Sequence, residues 1–295
     1  MLNQGGAFVS PLRYPGGKGR LGPWMATLMQ SNRLKGGCYV EPYAGGAGAA
    51  LFLLLQGYAG RIVINDADPA IHAFWDTVVN DTEALVDRIF KYPPTIKARS
   101  IAKNVLERAQ DHSRADVAFA AFLLNRTNRS GILNGGVIGG MAQNGPYKMD
   151  ARYKVENLVA RIRAIGAVRN KIKVYGLDAL EFLKKVGEKL PRKKVLIYLD
   201  PPYYVKGSQL YRNCYQHPDH VAVGKVVKSL SRPLLVTYDD TPEIRRIYSG
   251  LKWTVFSLKY STHTERPLAS EVLFYKNLKL PMPPAMTRRA DLVEA

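Results

Sequence analysis

The order of a strand, a glycine-rich turn, a helix and a second strand constrains the fold of this chain most strongly. A short apolar segment at residues 38–40 leads into Glu-Pro-Tyr-Ala-Gly-Gly-Ala-Gly at 41–48, and an apolar helix is predicted to follow. Residues 61–66 then form a compact segment, Arg-Ile-Val-Ile-Asn-Asp, that ends on an acid. This order is typical of the opening of a doubly wound α/β sheet.

Regular α/β alternation returns in the second half of the chain. Further strands are predicted at residues 171–175, 194–199 and 233–238, a helix at 179–188, and a final hairpin from 253–260 and 271–277. Between the two halves, apolar residues at three- and four-residue spacing predict helices. We therefore predict one discontinuous α/β domain, residues 1–75 and 156–295, interrupted by a mostly helical insertion at residues 76–155.

The charge of the chain indicates a polyanionic partner. The net charge is +19, from 43 Lys and Arg against 24 Asp and Glu. Residues 88–173 hold 17 basic and 5 acidic residues, so 17 − 5 = +12 of this charge lies in the middle third. A large excess of one sign makes a protein repel itself, and binding to nucleic acid is the usual reason to retain it. The alternative is a solvated basic helical surface.

The segment Asp200-Pro201-Pro202-Tyr203 is the strongest chemical signal. It follows the buried strand predicted at 194–199, and open α/β sheets bind ligands at the carboxyl ends of their strands. The two prolines remove backbone donors and stiffen the loop, which leaves the Asp200 carboxylate and the Pro201 carbonyl as acceptors beside an aromatic ring. Two acceptors of this kind can take both N–H hydrogens of an exocyclic amine and direct its lone pair at a methyl sulfonium. We predict that Asp200, Pro201, Pro202 and Tyr203 are the catalytic residues.

The glycine-rich turn favours a nucleoside cofactor. No Lys-Ser/Thr pair follows its glycines, and the strict dinucleotide motif is absent, so a phosphate-binding loop is not indicated. Asp66, at the end of the second strand, is placed to accept hydrogen bonds from two ribose hydroxyls. The alternative is that these glycines serve only the packing of helix on strand.

These motifs, in this order, resemble those of the Dam-like adenine-N6 DNA methyltransferases. The resemblance rests on Tyr14-Pro-Gly-Gly-Lys18, the turn at 41–48, Asp66 and Asp200–Tyr203, and it spans roughly residues 11–277. It implies a class I, Rossmann-like methyltransferase sheet, S-adenosylmethionine as cofactor, and an insertion that recognises the target. The implied cofactor-binding residues are Tyr14, Lys18, Glu41, Pro42, Tyr43, Gly45, Gly48, Asp66, Asp178 and Asp200. Relatives often have Trp in place of Tyr14, and Asp178 could instead serve only as a helix N-cap.

The segment at residues 125–140, rich in Asn, Arg and Gly, is typical of a DNA-reading loop. Arginine pairs with guanine, asparagine pairs with adenine, and glycine lets the backbone approach the duplex. A polar surface loop is the alternative. The predicted contacts with double-stranded DNA are Arg13, Arg126, Asn128, Arg129 and Lys148.

Several alternatives stay open at this point. The same loop chemistry suits the N4 amine of cytosine in DNA or adenine in RNA, and a non-catalytic DNA-binding protein on a decayed methyltransferase fold is a further possibility. Methylation of cytosine carbon-5 is disfavoured because neither Cys38 nor Cys214 follows a proline. No cysteine or histidine spacing indicates a metal site.

The expected setting is a cytoplasm, in a bacterial or phage-infected cell. No secretory segment opens the chain, and its longest apolar run, residues 49–55, is far too short to span a membrane. The two thiols are therefore expected to be reduced. A cognate restriction endonuclease is a further predicted partner.

Overall fold

The computed structural model describes residues 9–14, 18–191, 193–205, 215–259 and 268–284. These residues contain seven strands in one sheet, with the order β3-β2-β1-β4-β5-β7-β6. The strands are β1 Gly37–Glu41, β2 Ala59–Asn65, β3 Ile172–Tyr175, β4 Val195–Leu199, β5 Leu234–Asp239, β6 Lys252–Lys259 and β7 Leu268–Lys276. The pairs β1–β2, β1–β4 and β4–β5 are parallel, whereas β7 pairs antiparallel with both β5 and β6.

The chain forms two compact units. The first contains the described residues of Lys18–Ala67 and Leu177–Ala295, and the second contains those of Ser10–Gly17 and Asp68–Gly176. The helices of the first unit are α1 Gly22–Ser31, α2 Gly48–Leu55, α8 Ala179–Lys185, α9 His217–Ser229 and α10 Pro242–Ile247. The helices of the second unit are α3 Pro69–Asn80, α4 Thr82–Lys91, α5 Ile96–Glu107, α6 Arg114–Thr127 and α7 Val155–Gly166.

The central strands form the core of the first unit. Every residue of β1 and of β4 is buried, as are the first five residues of β5. Parallel strands covered on both faces need continuous apolar sequences, and Val-Leu-Ile-Tyr-Leu in β4 is one. This burial fixes the strand ends, and the residues that follow them, in a rigid frame.

The predicted doubly wound α/β architecture is confirmed by this sheet. Each predicted strand lies within a few residues of the observed one, and the predicted final hairpin is the antiparallel pair β6–β7. The middle of the chain is helical from α3 to α7, as expected. The two units are defined by their compactness, which does not show where a functional insertion begins or ends. The insertion boundaries at residues 76 and 155 therefore stay a prediction.

Two features predicted from the sequence lie partly outside the described residues. Residues 15–17 of the Tyr14–Lys18 motif and Cys214 are not described, whereas Cys38 is described and is buried. Within the described ranges, no helix is both long and apolar enough to cross a bilayer.

Candidate active site

Asp200 follows the last residue of β4 and is held from two sides. The Thr237 hydroxyl, on the neighbouring strand β5, donates to Asp200 Oδ1 at 2.7 Å, and Lys18 Nζ lies 3.4 Å from the same oxygen. The Thr237 hydroxyl is itself 2.8 Å from the Tyr198 hydroxyl. In the part of the chain that is described, nothing donates to the second oxygen, Oδ2, and the Asp200 side chain is 21% exposed. One oxygen is therefore fixed and the other is open to a ligand.

A buried charge cluster lies behind Asp200. Lys18 Nζ is 3.0 Å from Glu271 Oε1, and the Tyr203 hydroxyl donates to that same oxygen at 2.6 Å. Lys18 also donates to the Tyr203 hydroxyl at 3.0 Å. All three residues are buried, and Lys18 is shared between two carboxylates, those of Asp200 and Glu271. The cluster fixes Tyr203 by its hydroxyl, with the ring only 4% exposed.

The loop after Asp200 is stiffened at both ends. Pro201 and Pro202 are buried, and the Asp239 carboxylate accepts from the backbone N–H of Tyr204 at 2.8 Å and of Val205 at 2.9 Å. Because Asp239 ends β5, it ties the loop that follows β4 to the neighbouring strand. The acceptors of the loop are therefore held in place before any substrate arrives.

Burial raises the pKa of Asp200 above its ordinary value, and the charge of Glu271 adds to this effect. Lys18 and the hydrogen bond from Thr237 act in the opposite direction. The carboxylate is consequently a stronger proton acceptor than an exposed aspartate, and its ionised form depends on Lys18.

The turn after β1 lies against the end of β2. Gly45 N donates to Asp66 Oδ2 at 2.8 Å, and Ala44 N donates to the Asn65 carbonyl at 2.9 Å. Buried Asn65 donates to the Pro42 carbonyl and exchanges two hydrogen bonds with the backbone of Leu177. One asparagine thus joins the segments that carry Glu41, Asp66 and Asp178.

Glu41 is a buried carboxylate at the end of β1. Its Oε1 accepts from Ala50 N at 3.2 Å, and burial raises the pKa of Glu41 to about 8. A carboxylate in this position is stabilised by a nearby cation. The adjacent Tyr43 is half-buried, with its hydroxyl 3.2 Å from that of Tyr215.

The remaining predicted cofactor residues have local structural roles. Asp178 is exposed and caps α8 by accepting from the backbone N–H of Leu180 and Glu181, as the N-cap alternative predicts. A Cβ on Gly48 would lie 3.0 Å from the Gly19 backbone, so this glycine allows close packing of α2. Tyr14 is half-buried in the second unit. Binding roles for these residues stay predictions.

The predicted DNA contacts all lie in the second unit, and they differ in exposure. Arg129 and Lys148 are exposed, and Arg13 and Arg126 are half-buried. Asn128 is fully buried. Its amide accepts a hydrogen bond from Arg99 Nε at 2.8 Å and donates to the carbonyls of Ile132 and Leu133. This geometry favours a structural role for Asn128, in which its amide holds the backbone of the loop, over contact with a base.

The loop after α6 has a defined backbone. Asn125 exchanges hydrogen bonds with the backbone N–H and carbonyl of Arg13 and donates to the Gly131 carbonyl. Gly131 has a φ of +78°, and a Cβ there would lie 2.4 Å from the Arg13 carbonyl oxygen. Only glycine fits this position, which explains one glycine of the predicted DNA-reading segment.

Four residues of the site were not predicted: Asn65, Thr237, Asp239 and Glu271. Asn65 and Asp239 carry a signal that could have found them, because each ends a strand at the carboxyl edge of the sheet. Glu271 is a charged residue inside an apolar strand, Leu-Ala-Ser-Glu-Val-Leu-Phe-Tyr-Lys, and such a residue is rarely buried unless it is paired.

Comparison with known proteins gives a family match. The family model of the D12 class N6 adenine-specific DNA methyltransferases matches residues 14–264, which is most of the chain. Among curated proteins, none matches. No group of His, Cys, Asp or Glu suited to a metal ion occurs in the described ranges.

The likeness of this chain to solved structures is weaker than its match to the family model. An rRNA methyltransferase from Streptomyces viridochromogenes is 14% identical, with 92% of this chain and 86% of that chain covered, at a TM-score of 0.33. A Pyrococcus horikoshii protein, described as a suggested RNA methyltransferase, is 12% identical, with 90% and 86% covered, at a TM-score of 0.43. Both TM-scores are below 0.5 and both identities are below 25%.

Proposed function

Because this chain belongs to the D12 class N6 adenine-specific DNA methyltransferase family, we propose that it methylates N6 of adenine within a specific double-stranded DNA sequence. The target base is flipped out of the duplex and bound at Asp200–Tyr203. The observation that carries this proposal is the state of Asp200, with Oδ1 fixed by Thr237 and Lys18 and Oδ2 open to a ligand.

The loop residues act on the amine by accepting hydrogen bonds from its two N–H groups. Asp200 Oδ2 accepts one N–H of the amine and the Pro201 carbonyl accepts the other, which localises the lone pair on nitrogen. The Asp200 carboxylate would stabilise the positive charge that develops on N6 during methyl transfer. Asp200, whose pKa is raised, then takes the proton that N6 loses. Stacking of the base on Tyr203 would require the pocket to open, because that ring is buried.

The residues around the turn fit S-adenosylmethionine, which supplies the methyl group when it is bound. Asp66 lies where ribose hydroxyls are recognised in such folds, and it is held by Gly45 N–H. Glu41, a buried acid that a cation would stabilise, suits the positively charged amino-acid end. We propose that Lys18 acts on this site indirectly, by holding Asp200 and Tyr203.

The proposal is tested by identifying the methylated nucleoside. Purified protein is incubated with labelled S-adenosylmethionine and unmethylated duplex DNA, which is then digested and analysed by mass. We expect N6-methyladenine, and sequencing then gives the site. N4-methylcytosine would overturn the choice of base, and methylation of RNA alone would overturn the choice of nucleic acid. Cofactor binding with no methylated product would favour a decayed enzyme.

Glu41 gives a prediction for cofactor binding itself. With a pKa of about 8, Glu41 is mostly protonated at pH 7, and a cation bound beside it would lower that pKa. We therefore expect S-adenosylmethionine binding at pH 7 to release up to about one proton. Calorimetry in two buffers of different ionisation enthalpy measures this proton, and Glu41→Gln should abolish it. Equal proton release by both proteins would remove Glu41 from the cofactor site.

The same residue has a stability signature that needs no cofactor. The pKa of Glu41 is higher in the folded state than its ordinary 4.5, so the folded protein binds this proton more tightly. The free energy of unfolding should accordingly fall as pH rises from about 4.5 to about 8, and less steeply in Glu41→Gln. Denaturant unfolding at several pH values gives both curves.

A further inference from the structure

Four arginines of the second unit, Arg13, Arg126, Arg152 and Arg161, form what we call the arginine cluster. The Arg126 guanidinium donates to the Arg152 carbonyl, through Nε at 2.8 Å. Arg13 Nη1 donates to the Asn128 carbonyl at 3.1 Å, and Arg161 Nη1 donates to the Ser10 carbonyl at 3.1 Å. These bonds link the segment at residues 10–13, the end of α6, the segment before α7 and the middle of α7. The charges of the other three arginines all act on Arg126.

The cluster has no acidic partner within the described ranges, where none of its four arginines forms an ion pair. Other arginines of this unit do form them: Arg88 with Asp116, Arg114 with Asp76, and Arg163 with Glu83. The bonds of the cluster go instead to neutral carbonyls, which satisfy N–H donors without compensating charge. Positive charge is therefore concentrated here without an internal counterion.

The electrostatic consequence is clearest at Arg126. Burial lowers the pKa of Arg126 to about 9, and the neighbouring charges of Arg13, Arg161 and Arg152 act in the same direction. Burial and the charge of Arg152 also lower the pKa of Arg13. Arg126 thus stays charged at neutral pH only at an energetic cost, which an anion bound beside it would relieve.

We propose that the arginine cluster binds a phosphate of the DNA backbone and fixes the register of the duplex, without reading a base. The inference rests on the proposed function only in naming duplex DNA as the source of the phosphate. A planar guanidinium donates two parallel hydrogen bonds to phosphate, so several neighbouring arginines suit this anion. The exposed Arg129 lies outside the cluster and is left as the residue available to base edges.

The test is the salt dependence of binding to duplex DNA of arbitrary sequence, measured without S-adenosylmethionine. Each phosphate contact contributes about 0.9 to the slope of log K against log salt concentration. We expect Arg152→Gln and Arg161→Gln each to reduce the slope, by up to about this amount. Arg163→Gln is the matched control, because it removes the same charge from the same helix as Arg161 but from an arginine paired with Glu83. Its slope should equal that of the wild type.

Two results would overturn the inference. One is a wild-type slope in both Arg152→Gln and Arg161→Gln, and the other is an equal reduction in Arg163→Gln, which would show an effect of net charge alone. Arg152 is exposed, so its variant remains informative if Arg161→Gln unfolds. The nucleoside test is independent: reduced slopes without methylated adenine would refute the proposed function and keep the phosphate site. Methylated adenine with unchanged slopes would support the proposed function and refute the phosphate site.

Discussion

Replacing Asp200 with alanine is expected to lower kcat for adenine methylation by at least about 1,000-fold and to change DNA affinity by less than about threefold. In the proposed mechanism, the substitution removes the acceptor that interacts most strongly as charge develops on N6, whereas the proposed contacts with the duplex lie elsewhere. Single-turnover methylation and equilibrium DNA binding measure the two effects. Asp87→Ala, at an exposed position of α4, is the control and should behave as the wild type.

Substitutions of Thr237 test how far catalysis depends on the position of the Asp200 carboxylate, because they leave Asp200 itself unchanged. Thr237→Val removes the hydroxyl that holds Oδ1 at 2.7 Å, and Thr237→Ser keeps it. If position matters, kcat falls in the valine variant and is largely restored in the serine variant, with KM little changed in either. A near wild-type rate in Asp200→Ala would refute the catalytic assignment, however Thr237 behaves.

The sequence was sufficient to predict the positions of Glu41, Asp66, Asp178 and Asp200, because each lies at or just after the end of an apolar strand. Strands of a doubly wound sheet bring such ends to one edge, so the order of motifs alone indicates their common location. The sheet also follows from the pattern, since continuous apolar runs favour buried parallel strands and Gly-rich turns favour the crossovers.

The supporting residues depend on strand pairing that the sequence does not specify. Glu271 reaches Lys18 because β7 pairs with β5, which places Glu271 opposite Asp239. From the sequence alone, the final hairpin could have joined the sheet through either of its strands. A shift of one residue would also have turned Glu271 to the opposite face.

The predicted DNA-reading loop shows a different limit of prediction from sequence. Asn128 is a predicted DNA contact because asparagine pairs well with adenine, and Asn125 lies in the same segment. Both are buried, and both hold backbone groups of their own unit. Composition cannot distinguish an asparagine that organises a loop from one that the loop presents, because both tasks use the same amide donors and acceptors.

Lys18→Met is expected to destabilise the protein by about 3–5 kcal/mol, the usual result of removing one partner from a buried ion pair. Lys18 is 3.0 Å from Glu271 Oε1 and 3.4 Å from Asp200 Oδ1, so the variant leaves two carboxylates facing each other in a buried site. Denaturant unfolding measures the loss. In the double variant Lys18→Met/Glu271→Gln, one of the two carboxylates is replaced by a neutral amide, and part of the lost stability should be recovered.

The same variant should shift the pH dependence of methylation. Lys18 lowers the pKa of Asp200 against the raising effects of burial and Glu271, so without Lys18 this pKa rises further. In the proposed mechanism Asp200 accepts the amine proton only when ionised, so the acidic limb of kcat should move to higher pH in Lys18→Met. Adding Glu271→Gln removes the repelling charge and should move the limb back. An acidic limb that is identical in all three proteins would show that Asp200 and Lys18 are not coupled, and the charge cluster would then have a structural role alone.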